Sequence, residues 1–573
     1  MKLIVLSKNL ISKKLYKIKG FLFLIPVIFF AFLLVSLDFV TFDASNHIFF
    51  AKHYKNDWFS LIDYQLAGGL DLSTYPPLVF QLMAIFSFFL NLTTSYYLIL
   101  IIFWFLLSYF STKFFVKYLE LDHNFFNICF CFVFFSIGII RTIFLNGQIT
   151  TLVGLAFGFI SLSYLLDTFE SKNLNNFILF GLSLALVLLS HHLSFILIFI
   201  AIVMTILLNF RKFIKNINYY FLTLLIFSLV ILLGLFPFYS KVISHSLIPE
   251  NEIYSPTRYP LEKNNFYVWY FGYLGIVEAM LLFPIFLYFA HIKNKRVYHI
   301  YFFALVFYLI GLGRTTPLTK ILFLEYEHWL TYERFLLFAS IAFSFLLALF
   351  LYYFFSVFHK LKHKTVLMAF IIILYIIFNL SILLAMHEMF FRVLANFKNS
   401  NVEKAINYSL DFLNKNVSEK YRYQTFGLST PPFSVPIGEI YLHTKIPTLD
   451  TDYFGGRTID WQKNSGLNEI DRNYKNFNFL ELFMNNTSKY SIKYIITFNQ
   501  ESQSTIKKYN WNIIANNTFG NIPVTIWENS NEIEPISQVE EKITIANYLW
   551  GIVPLATLFI FLISMIYNSM KKH

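Results

Sequence analysis

The feature that most constrains this chain is the recurrence of apolar runs of about twenty residues, the length an α-helix needs to cross the hydrocarbon core of a bilayer. Candidate helices lie near 20–40, 77–91, 94–117, 124–144, 150–167, 174–190, 194–210, 219–238, 267–290, 298–312, 334–358, 365–387 and 546–567. Composition agrees, with 57% hydrophobic, 20% aromatic and only 14% charged residues in 573, which no ordinary soluble globular protein matches. The prediction is a polytopic α-helical membrane protein.

The formal net charge of +12 invites a nucleic-acid reading, so its location matters. Residues 390–545 hold 16 basic and 16 acidic residues, which leaves the whole excess on the flanks of the apolar runs. That is the signature of membrane orientation, not of a nucleic-acid-binding face. Arg211/Lys212/Lys215, Lys293/Lys295/Arg296, Lys360/Lys362/Lys364 and Lys571/Lys572 should all be cytoplasmic, as should the N-terminal lysines. These cannot share one side if all thirteen candidates cross. The segment 77–91 is the weakest, opening on Pro76-Pro77 and ending in Asn91-Leu92-Thr93-Thr94. Laid along the outer interface, it leaves about twelve spans with both termini cytoplasmic. The expected division is a membrane domain at 1–389 with an external loop at 41–93, an extracytoplasmic α/β domain at 390–545, and a final span with a basic tail at 546–573. Within the external block, 402–413 reads as a helix capped by Asn399 or Ser400, 491–498 and 523–527 as strands, and 502–509 as a short helix.

Polar groups then gather at the outer ends of the helices. Asp43 and His47 stand four residues apart, on one face of a helix, where a carboxylate can take a proton from a hydroxyl or hold a cation; the alternative is a helix end facing water. Tyr75-Pro76-Pro77 fixes a turn in the same loop. Asp57, Asp63 and Asp71 have no metal-ligand spacing and are expected to be solvated. Asn146-Gly147-Gln148 makes a tight turn whose amides can bond sugar hydroxyls or serve the turn alone. His191 and His192 are adjacent, so only one can face a given site, which argues against a metal pair. Arg334 can grip a lipid phosphate or pair with a glutamate such as Glu333, and Arg314 and Arg258 are further cations for an anion. Cys129 and Cys131 imply neither a disulfide framework nor a zinc site.

On "DASNH" at 43–47, "TYPPL" at 74–78, "NGQ" at 146–148, "SHHLS" at 190–194 and "YERF" at 332–335, the chain resembles the GT-C superfamily of integral-membrane glycosyltransferases. Within it, the chain looks most like prokaryotic membrane proteins labelled as related to 6-pyruvoyl-tetrahydropterin synthase, although no pterin-synthase zinc motif is present. The resemblance implies transfer of a sugar from a polyprenyl-phosphate-type donor to a glycan, lipid or protein acceptor at the outer face of a cell membrane. Asp43 would be the base and His47 its helper. Tyr75, Asn146, Gln148, His191, His192, Arg258, Arg314, Glu333 and Arg334 would hold substrate, and membrane lipids would be the surroundings. Where some members carry a second acid, this chain has Asn146-Gly147-Gln148, so no metal site is expected and a divalent cation is not favoured as cofactor. The competing expectations are a transporter or flippase of a lipid-linked or small polar substrate, and a non-catalytic glycan-binding relative.

Overall fold

The computed structural model describes residues 43–121, 125–243, 295–313, 316–324, 330, 332–357, 367, 370–382, 401–427, 440–450, 465–467, 470, 477–536 and 541–571. The candidate spans near 20–40 and 267–290, the cap at Asn399 or Ser400, Arg258 and Arg314 lie outside the described residues.

The chain is a polytopic helical membrane protein with a small sheet domain late in the sequence. Among the described residues, α1 (Ala44–Asn56) and α2 (Leu78–Phe86) precede the long helix α3 (Leu92–Tyr118). α4 (Phe126–Phe134) and α5 (Ile137–Arg141) follow, then α6 (Ile149–Glu170), α7 (Leu174–Ser190), α8 (His192–Leu208) and α9 (Ile217–Gly234). After α10 (Lys295–Gly311) and α11 (Glu333–Val357) comes the polar block before the last helix, and α12 (Ile545–Met570) follows it. Six described helices are long and apolar enough to cross a membrane. α2 has nine residues, about 13 Å of helix, less than half a bilayer core.

Burial separates centre from rim. In α6, 94% of the most apolar window is buried, whereas in α9 the share is 17%, so α6 is the axis and α9 turns its apolar side outward as a lipid-facing helix does. Two glycines let α8 close on α6. A Cβ on Gly158 would fall 2.2 Å from the Ile198 side chain and one on Gly154 would fall 2.7 Å from Ser194 Cβ. This is the small-residue spacing that brings membrane helices together when dispersion, not water, drives packing.

The run at 124–144 is broken, where the sequence reads as one helix. At Phe135-Ser136 the ladder stops, and residues 142–146 wind as a π-turn. Neighbours satisfy the freed backbone: Trp104 Nε1 donates to Phe134 O (3.0 Å), Asn379 Nδ2 to Phe135 O (2.9 Å), and the Gly138 N–H to Ser340 Oγ (3.2 Å). An irregular segment inside apolar surroundings survives only with such partners. Pro554 poses the same problem in α12, because it has no N–H for Trp550 O. Gln81 Nε2 from α2 donates to that carbonyl (3.1 Å) and to Gly551 O (3.2 Å), and Trp58 Nε1 also reaches Gly551 O (3.0 Å), so α2 and its loop are pinned to the last helix.

The loop after α1 carries the hairpin β1 (Ile62–Asp63) and β2 (Leu70–Asp71). In the polar block, Asn401–Asn416 is helical and packs on a four-stranded sheet whose spatial order is Arg422–Phe426, Ile492–Thr497, Ile522–Asn529, Trp511–Phe519. β3 (Arg422–Phe426) runs parallel to β4 (Ile492–Thr497). β6 (Ile522–Asn529) lies antiparallel to both β4 and β5 (Trp511–Phe519). The two expected strands and both expected short helices are present, the latter at Asn401–Asn416 and Gln503–Lys507. β3 and β5 are additional. The Asn-rich stretch of β5 is largely exposed and lacks the alternation by which a strand is recognised.

Candidate active site

Asp43 stands at the N-cap of α1, but its carboxylate does not cap the helix and accepts no hydrogen bond among the described residues. Its backbone is what is held. The Asp43 N–H donates to Asn146 O (3.0 Å), and Asp43 O accepts from the His47 N–H (3.0 Å). The Asn-Gly turn thus sits directly under the start of α1. Gly147 takes φ +67°, a left-handed conformation that glycine enters without Cβ strain. The turn presents Gly147 O to two donors, His47 Nδ1 (3.1 Å) and Tyr96 Oη (3.1 Å). A carbonyl can only accept, so the ring proton of His47 is on Nδ1 and Nε2 is a lone pair with no partner among the described residues.

Electrostatics separate the two groups. Burial raises the Asp43 carboxyl from its ordinary 3.8 to about 6, against the lowering pull of Arg334 and with a smaller upward push from Glu333. Burial also drives His47 down to about 3, opposed by its bond to Gly147 and helped by the Arg334 charge, so the imidazole is neutral. At neutral pH the pair is therefore a carboxylate that can take a proton beside an imidazole that can only accept a hydrogen bond through Nε2.

Arg334, in the first turn of α11, reaches the other side of the same turn. Its Nε donates to Gln148 Oε1 (3.4 Å) and its Nη1 to His191 Nε2 (2.8 Å). Among the described residues no carboxylate pairs with it, and the loop glutamates Glu325 and Glu327 lie outside them. The Ser194 N–H also approaches His191 Nδ1 (3.1 Å) and would favour the opposite tautomer. The guanidinium is both charged and nearer, and the stronger bond decides. The His191 proton is then on Nδ1, donated to Ser194 Oγ (2.9 Å), whose own proton goes to Thr151 O (3.3 Å). Burial, with the charge of Arg334 next, holds His191 well below its ordinary range, as a neutral acceptor should be. Arg334 is thus oriented by two neutral acceptors, and its Nη2 donors have no described partner.

Tyr75 joins these halves. Its ring lies 6.4 Å from that of His47 and 6.1 Å from that of His191, and its hydroxyl bonds Thr150 Oγ1 (3.0 Å). Asp43, His47, Tyr75, Asn146, Gln148, His191 and Arg334 therefore form one cluster, with Glu333 buried beside it. His192 points away and stacks on Phe238 at 4.3 Å. Among the described residues no group of three or more His, Cys, Asp or Glu could hold a metal ion.

Asp63 is not solvated. It is buried, with Oδ2 2.8 Å from His53 Nδ1, and Oδ1 accepts from the Gln65 N–H (2.8 Å). His53 Nε2 faces Ser60 O (3.0 Å), so both ring nitrogens meet acceptors and the imidazolium form satisfies both. Burial opposes that charge, but the Asp63 bond and charge, the Ser60 carbonyl and Asp57 outweigh it and raise the group above its ordinary value. Asp57 is exposed as expected, and Asp71 caps Ser73 N (2.9 Å).

Several residues of the site carry little sequence signal. Tyr96, Thr150 and Ser194 sit in apolar helices where a hydroxyl is common. Gly154 and Gly158 do carry one, the four-residue glycine spacing. Arg141, fully buried at the end of α5, is an arginine within an apolar run, a rarity that marks functional regions of membrane proteins.

No protein-family model and no curated protein matches this sequence. Among solved structures the chain is similar to the arabinofuranosyltransferase AftD from Mycobacteria, with TM-score 0.48 and 11% identity over 86% of this chain. It spans 38% of that protein's length. It is also similar to ArnT from Cupriavidus metallidurans in the apo state, with TM-score 0.38 and 9% identity over 89% of this chain and 98% of that one. The narrower likeness to membrane proteins labelled as pterin-synthase-related finds no support in these comparisons.

Proposed function

We propose that this chain is a glycosyltransferase that moves a sugar from a polyprenyl-phosphate-type donor to an acceptor hydroxyl at the outer membrane face, with Asp43 as general base. The observation that carries this reading is the pairing, across one Asn-Gly turn, of a carboxylate at about 6 that accepts no hydrogen bond among the described residues with an arginine whose described partners are two neutral acceptors. The first suits removal of a hydroxyl proton near neutral pH, and the second suits a phosphate that gains charge.

In the reaction the acceptor oxygen attacks the anomeric carbon as its proton passes to the Asp43 carboxylate. The bond from that carbon to the phosphate oxygen breaks, and its electron pair leaves with the phosphate. The Nη2 donors of Arg334 meet the charge that develops there. One displacement inverts the anomeric centre. His47 Nε2 accepts a hydrogen bond from a substrate hydroxyl, and Gln148 and His191 aim the guanidinium.

The test is transfer by the purified full chain from a short-chain polyprenyl-phosphate sugar to a panel of glycan, lipid and peptide acceptors. Asp43→Asn is expected to abolish turnover, while Arg334→Ala raises the donor KM and lowers kcat. Full activity of Asp43→Asn rejects the assignment. Movement of labelled solute into proteoliposomes without sugar transfer would establish a transporter instead, and glycan binding that persists without turnover a non-catalytic relative.

A further inference from the structure

Because the Asp43 carboxylate takes no hydrogen bond among the described residues, its position is set by the helix that carries it. α1 is two-faced. Asp43, His47, Phe50 and Tyr54 share one side: His47 bonds the Asn-Gly turn, Phe50 packs on Phe80 of α2 (5.0 Å), and the Tyr54 hydroxyl accepts from Trp550 Nε1 of α12 (2.8 Å). Asn46, Phe49 and Lys52, three residues apart, face elsewhere.

That second face is held by one segment of the external domain, 440–450. The Tyr441 hydroxyl donates to Asn46 Oδ1 (2.7 Å), and its ring stands edge-on to Phe49 at 5.2 Å. Lys52 Nζ donates to the carbonyls of Leu442 (3.0 Å) and Thr444 (3.2 Å), the open end of that short helical turn, where a cation is favoured. The loop after α1 adds a backbone seam, with the Thr448 N–H on Gln65 O (2.8 Å) and the Gly68 N–H on Thr448 O (3.0 Å). The segment is also bonded into the domain's sheet, where the Tyr423 N–H donates to Pro447 O (3.0 Å) and Thr448 Oγ1 to Tyr423 O (2.9 Å). A continuous set of bonds therefore runs from β3 through 440–450 to the helix that ends at Asp43.

We propose that the external domain is the mount of the base helix, with Tyr441 and Lys52 as positioning residues that fix Asp43 through α1. This rests on the reading of Asp43 as the base. A ligand or partner that shifts segment 440–450 acts on transfer without entering the active site.

The experiment compares the full chain with Tyr441→Phe, which keeps the ring and loses one bond, and with Lys52→Met, both in lipid nanodiscs. Amide hydrogen exchange over 44–56 is expected to quicken roughly fivefold in Tyr441→Phe, the effect of one net hydrogen bond, and more in Lys52→Met, with 149–170 unchanged. Transfer kcat should fall with the donor KM unmoved. The acid limb of the pH–rate profile should move to lower pH, because a looser helix leaves the carboxylate better solvated; a merely structural loss would lower the amount of active protein and leave that limb in place. Unchanged exchange over 44–56 overturns the mount. Faster exchange with unchanged kcat and pH profile overturns the positioning role, even if Asp43→Asn abolishes transfer. Full transfer by Asp43→Asn overturns the base assignment instead, and the positioning role with it, while the exchange data still decide whether the domain holds α1.

Discussion

Replacing Asp43 by Asn should remove activity and at the same time stabilise the protein at neutral pH. The folded carboxyl titrates at about 6 against an ordinary 3.8, so between those values the folded state holds the proton more tightly than the unfolded state does. For a carboxyl raised in this way, stability falls as pH rises through 3.8 towards 6 and then levels off. The full cost at pH 7 and above is about 3 kcal/mol, at roughly 1.4 kcal/mol for each tenfold change in proton affinity. Asn cannot ionise and escapes that cost. The variant should unfold at a higher temperature than wild type at pH 7.5, with the difference shrinking as pH falls through 6 and gone below 3.8. In wild type, the same titration makes Asp43 about nine-tenths ionised at pH 7 and about one-tenth at pH 5, so initial transfer rates should drop nearly tenfold between them. Thermal unfolding followed by tryptophan fluorescence in detergent, at several pH values, reads the first effect, and rates with a lipid-linked sugar read the second. A variant no more stable than wild type at pH 7.5, or a rate flat from pH 7 to 5, would refute the argument that burial sets this carboxyl.

Other outcomes follow from the same geometry. Arg334→Lys keeps the charge but cannot bond Gln148 and His191 together while offering a second nitrogen to an anion, so the donor KM should rise roughly 10- to 100-fold, measured by steady-state kinetics. Gly154→Ala places a methyl 2.7 Å from Ser194 Cβ and 3.3 Å from His191 Cβ, which should cost about 1–3 kcal/mol in thermal unfolding and weaken donor binding by disturbing the acceptor that aims Arg334. The buried His53–Asp63 pair is a raised imidazolium, so its contribution is complete below the ordinary 6.5 and lost as pH rises through the folded value. Limited proteolysis of the loop at 57–75 should accordingly quicken in alkaline buffer. Asp63→Asn should make the loop labile already at neutral pH and remove the alkaline step, because without the carboxylate burial favours the neutral imidazole and the charge-assisted bond is lost.

The amino-acid sequence by itself determined the class of the protein, because the length of an apolar run is a local quantity that a bilayer reads directly. It also determined the helix and two central strands of the polar block before the last helix, and it marked Asp43, His47, Asn146, Gln148, His191 and Arg334 as polar residues at helix ends. What it left open was their relation. Asp43 and Arg334 are far apart in the chain, and only the packing of α1, α6, α8 and α11 around one Asn-Gly turn brings them together. The misreading of Asp63 has the same origin: a carboxylate in a polar loop looks solvated until the fold places His53 against it. Burial of charge, tautomer and the grip of segment 440–450 on α1 were likewise decided by tertiary structure, since each depends on atoms contributed from distant segments, and no spacing within one segment encodes them.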